Sequence, residues 1–60
     1  MLFSDIEVAG ALSELPDDYV LRIEGLPGLV TTLLRSRPVS EWSLAVRGAI
    51  MAAALQRRSP

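Results

Sequence analysis

The residues of this chain whose types and spacing could do chemistry are few. Carboxylates stand in pairs at Asp17–Asp18 and at Glu7 and Glu14, and arginines form two short clusters, Arg35-x-Arg37 and Arg57–Arg58. General acid/base work needs two groups whose surroundings push their proton affinities apart. Adjacent acids directly after Pro16 have a simpler reason to be there, because negative charge in the first turn of a helix faces its unpaired amides. The chain contains no histidine and no cysteine. The common nucleophile–base pairs therefore cannot be assembled, and a zinc site would have to be built from carboxylates alone, which is not how structural zinc is held. Gly25-Leu26-Pro27-Gly28 lacks the length and the lysine of a phosphate loop and reads as a turn. No catalytic residue, metal ligand or cofactor is assigned, and the expectation is a protein that is not an enzyme.

Phosphate contact is the chemistry open to the arginines. Two short clusters within a chain of net charge −1 are a weak nucleic-acid signal, and cations near helix C-termini account for them more simply. The charge is nonetheless polarised. Residues 1–30 carry six acids against Arg22, giving −5, and residues 31–60 carry five arginines against Glu41, giving +4. That arrangement favours either an internal match of the two halves or head-to-tail contact between copies.

Sixty residues, half of them hydrophobic, make one small domain over 1–60 rather than a disordered chain. One core of this size supplies only about 3–5 kcal/mol, so small folds are usually stapled by disulfides, metals or association. With cysteine and histidine absent, association is the staple left. The opening Met1-Leu2-Phe3-Ser4-Asp5 has no basic segment and no long apolar run, unlike a signal peptide. The least polar stretch, Leu44 to Leu55, is twelve residues long and contains Arg47, well short of the roughly 20 needed to span a bilayer. A cytoplasmic protein follows as the expectation. All basic residues are arginine and asparagine is absent, a bias that suggests a GC-rich bacterial or phage genome and admits assembly in a phage particle.

The elements that must position these groups read as an all-α domain of three to four short helices. Ser4-Asp5-Ile6-Glu7 is a capping box and opens a helix over 5–14, with Val8, Ala11, Leu12 and Leu15 on one face. Pro16 ends it. Residues 17–24 carry two signals. Pro16, the two acids and Gly25 bound a short helix, whereas Tyr19, Leu21 and Ile23 alternate with Val20, Arg22 and Glu24 in the period of a half-buried strand. The agreement of both end signals favours the helix, because a lone strand would need a strand from a second copy. A third helix is expected over 27–36, with Leu26, Leu29, Val30, Leu33 and Leu34 inward and Thr31, Thr32 and Arg35 outward. The last is expected over 40–57, capped by Ser40, with a basic frayed tail at 57–60.

The last helix is apolar on two sides. Trp42, Ala45, Val46, Ala49, Ile50 and Ala53 form one stripe; Leu44, Gly48, Met51, Ala52 and Leu55 form another. A helix with this much apolar circumference belongs in a core or between partners. The alanines spaced by four suit close helix approach, so the Trp42–Ala53 stripe is expected to meet a partner and the Leu44–Leu55 stripe to meet its own chain. The function expected is a non-enzymatic interaction or structural module that self-associates or docks on a helical protein of a larger assembly.

The order strand, short helix, longer helix, laid on Tyr19–Glu24, Pro27–Ser36 and Ser40–Arg57, also resembles the ribbon-helix-helix DNA-binding regulators over about two thirds of the chain. That resemblance implies a strand paired with its dimer mate and Val20, Arg22 and Glu24 facing the major groove, with Arg35, Arg37, Arg57 and Arg58 as further phosphate contacts. The acidic start of the strand, the short first helix and the additional leading helix depart from the family.

Overall fold

Six local segments, in the order helix, strand, strand, helix, 3-10 turn, helix, make up the computed structural model, which describes residues 3–58. The first, α1 (Asp5–Ser13), begins as the sequence predicts. The Ser4 hydroxyl accepts from the Glu7 amide at 3.1 Å, and the Glu7 carboxylate accepts from the Ser4 amide at 3.3 Å. Two of the four orphan amides of the helix start are thereby satisfied reciprocally. The expected inward face is also the observed one, since Val8, Ala11, Leu12 and Leu15 are all buried.

The middle of the chain departs from the all-α expectation. Residues 17–24 form no helix. Asp17 and Asp18 lie in a turn, and the chain then extends as β1 (Val20–Leu21). The period-two alternation was the controlling signal: Leu21 is buried and Tyr19 and Ile23 are half-buried, while Val20, Arg22 and Glu24 face solvent. The partner strand comes from the same chain. β2 (Leu29–Val30) pairs antiparallel with β1, Val20 opposite Val30 and Leu21 opposite Leu29. Two glycines make this hairpin possible. Gly25 turns the chain at φ 84°, a conformation that other residues rarely adopt. Gly28 lies so close to β1 that a Cβ there would sit 2.8 Å from Val20 Cγ1, so its bare backbone allows the strands to approach.

Extending Leu29 and Val30 delays the next helix. α2 spans only Thr31–Arg35, and the stripe expected along 27–36 is broken: Leu34 is fully buried, but Leu26, Val30 and Leu33 are exposed. Thr31, expected to face outward, is wholly buried. Its amide and its hydroxyl both donate to the Tyr19 carbonyl, at 2.9 and 3.1 Å, tying α2 to the start of β1.

The expected helix over 40–57 begins later as well. Val39–Glu41 is a 3-10 turn and α3 runs from Leu44 to Arg58. Ser43, not Ser40, receives its first turn, through the Val46 amide on its hydroxyl at 3.4 Å and the Arg47 amide on its carbonyl at 3.0 Å. Arg57 and Arg58 are helical, not part of a frayed tail; Ser59 and Pro60 lie outside the described residues.

The core lies between α1, β1, α2 and α3, where Val8, Leu21, Leu34, Val46 and Ile50 meet with little or no exposure. Two ion pairs fix how the long helices run. Arg47 of the first turn of α3 reaches Asp5 at the start of α1 at 3.3 Å, and Arg58 at the end of α3 grips Glu14 at the end of α1. At 1.5 Å per residue the two intervals are roughly 14 and 16 Å, so α1 runs parallel to α3 between these two pairs.

Candidate functional site

The arginines singled out by the sequence are held mainly by the protein itself. Arg35 is the most occupied. Its Nη2 donates to the carbonyls of Leu12 and Leu15, at 3.2 and 2.7 Å, and its Nη1 pairs with Asp17. One guanidinium thus bonds two carbonyls at and just beyond the end of α1, adding to the Leu15 amide already on the Leu12 carbonyl. Arg37 lies over the Trp42 ring, 5.7 Å from its centroid, within the range of a cation–π contact. Arg58 forms a two-point pair with Glu14, its Nε donating at 2.8 Å. Among the described residues Arg22, Arg37 and Arg57 are left without an ion pair. Arg22 directly follows β1, Arg37 lies between α2 and the 3-10 turn, and Arg57 lies in the last turn of α3. The strand that the ribbon-helix-helix resemblance pairs with a dimer mate has one edge filled by β2. The opposed charges of the two halves therefore match internally, through Asp5–Arg47, Glu14–Arg58 and Asp17–Arg35.

The Arg58 hydrogen bond, aided by its charge, holds the Glu14 carboxyl below the ordinary glutamate value against a smaller opposing effect of desolvation. A carboxyl depressed on folding stabilises the folded state above its unfolded value, and that stability is lost as pH falls through the folded one. Thermal melts between pH 7 and pH 3 should show the midpoint falling through the acid range. Glu14→Gln should flatten that fall while leaving the neutral-pH fold intact.

The expected interface residues divide between two environments. Val46, Ile50 and Ala53 are buried in the chain's own core, Ala49 is half-buried and Ala45 is exposed. Trp42 is half-buried and closes the end of the core, its indole N–H donating to the Leu34 carbonyl at 3.1 Å. The stripe expected to face a partner is thus largely the one that covers α1, β1 and α2. Correspondingly, the stripe expected to face the chain lies outside. Leu44 is 60% exposed and Leu55 63%, Ala52 is exposed, and Gly48 and Met51 are half-buried between them.

This outer face of α3 has a defined pattern. Leu44, Gly48, Met51 and Leu55 follow a 4-3-4 spacing and carry no charge, the spacing that presents one seam to a neighbouring helix. Ala45 and Ala52 flank it, so nothing large or ionic guards its edge on that side. Sequence patterning found both stripes of α3 but assigned the Leu44–Leu55 stripe to the chain's own core, the reverse of the burial observed. A shallow groove of about 350 Å³ runs beside α1, lined by Ile6, Ala9, Pro38 and Val39, and Ile6 there is 85% exposed. No helix among the described residues is long and apolar enough to cross a membrane.

No family model, curated protein or solved structure matches the chain.

Proposed function

We propose that this protein is a non-enzymatic interaction module that presents the outer face of α3 to a helix of a partner, in the simplest case α3 of a second copy. The uncharged Leu44–Gly48–Met51–Leu55 seam carries the proposal. Large apolar side chains set at helix–helix spacing on the solvent side of a 60-residue chain are what an interface requires and what a self-sufficient monomer avoids. Gly48 at the centre lets a facing helix approach closely, and Leu44 and Met51 supply the apolar area beside it. The arginine-only basic residues suit a bacterial cytoplasm or a phage particle as the setting.

Sedimentation equilibrium across micromolar concentrations tests the reading. The chain is expected to associate, and Leu44→Glu should weaken association at least tenfold, a change of about 1.4 kcal/mol. Because Leu44 contributes little to the core, the helical circular dichroism of that variant should be unchanged. A wild-type chain that stays monomeric throughout the range would overturn self-association.

A further inference from the structure

We infer that the outer edge of β1 and the adjoining flank of α3 form a receptor for an extended acidic peptide, which adds to the hairpin as a third strand. The register of the hairpin establishes that this edge is open. Thr31 donates its amide to the Tyr19 carbonyl, and Leu21 stands opposite Leu29. In an antiparallel ladder that places Val20 in a non-hydrogen-bonded pair with Val30, so the Val20 amide and carbonyl point away from β2.

Space lies on that side. A cleft of about 390 Å³ is lined by Val20 and Leu21 of β1, by Tyr19 and Arg22 on either side of it, and by Ala49, Ala52, Ala53 and Gln56 from α3. Successive residues of a strand point to opposite faces, yet both odd and even ones line this cleft. It therefore runs along the backbone edge of β1 and not over one face. The volume falls within the range of about 300–1,000 Å³ typical of ligand sites. From Ala49 to Gln56 the α3 wall is about 10 Å long, the length of three residues of extended chain. The alanines keep that wall low enough for a backbone to lie against it.

Charge selects the occupant. Arg22 is the only charged residue lining the cleft, and it has no ion pair among the described residues. A strand entering here would exchange main-chain hydrogen bonds with the Val20 edge, as strand addition does elsewhere, and would place a carboxylate against Arg22. The surface adjoins the Leu44–Met51 seam at Ala52, which borders both, and the two are told apart by their variants, Arg22→Ala here and Leu44→Glu there.

The probe is a blocked heptapeptide of alternating valine and aspartate, titrated into the isotope-labelled full chain and followed by amide chemical shifts. Saturable shifts are expected at Val20, Leu21 and Arg22 and at Ala49 and Ala53. The same peptide with alternate amides N-methylated should not bind, and Arg22→Ala should lower affinity about tenfold and remove most of its salt dependence. No saturable shifts up to millimolar peptide, equal binding of the N-methylated peptide, or shifts centred away from β1 would each overturn the inference.

Discussion

Ile50→Ala is expected to leave the chain largely unfolded at room temperature. Ile50 has no exposed surface and lies on the α3 stripe that faces α1 and β1. Truncating a fully buried isoleucine costs about 2–5 kcal/mol, from lost burial and from the cavity left behind. The folded chain exposes 4169 Å², whereas an unfolded chain of 6.5 kDa exposes roughly 9,400 Å². Folding hides only somewhat over half of the surface, and one core of this size gives about 3–5 kcal/mol in all. The loss and the total are of the same order. Urea titration followed by circular dichroism checks this: the variant should lack a folded baseline that the parent shows. A cooperative transition with a similar midpoint would mean that the core does not depend on this side chain.

Arg35→Ala should be the most damaging change at a residue that is not buried. Its guanidinium holds the Leu12 and Leu15 carbonyls and Asp17 together, joining the end of α1 to α2 and to the turn before β1. The Asp17 side chain is largely in water, so the ion pair alone contributes little. The charge-assisted bonds to the two carbonyls are less exposed, and losing them should cost about 2 kcal/mol. Arg35→Lys should recover only part of this, because an ammonium is a point donor and cannot span two carbonyls and a carboxylate as a planar fork does. Chemical denaturation of the three proteins orders them directly. If Lys restores full stability, the fork geometry is not what matters.

The parts of this fold that could be read from the sequence are those fixed by local rules. The capping box at Ser4–Glu7 and the inward face Val8–Leu15 depend on residues within one or two turns, and both are present as expected. The middle could not be read in this way. Pro16, Asp17, Asp18 and Gly25 all signal a helix locally, but the hydrogen bonds of β1 are completed by β2 across the Gly25 turn, a contact that no helix rule describes. The helix expected over 27–36 is present but starts late for the same reason: Gly28 is needed for close approach to Val20, and Leu29 and Val30 after it belong to β2. At α3 both apolar stripes were legible, but choosing between them required knowing where β1 and α2 dock. The internal pairing of the charge halves was legible only as one of two outcomes, because composition gives the sign of each half and not the reach of Arg58 to Glu14.

The parallel course of α1 and α3 bears on how the chain reaches this state. Parallel neighbours cannot be joined by a short hairpin, and the pairing of Glu14 with Arg58 closes a segment of 44 residues. Closing a loop of that length costs about 1.3 kcal/mol more entropy than closing one of ten residues, which alone slows assembly about tenfold. During synthesis α1 lacks its main packing partner until α3 has been made, and until then part of its apolar face, Val8 to Leu15, is open to other chains.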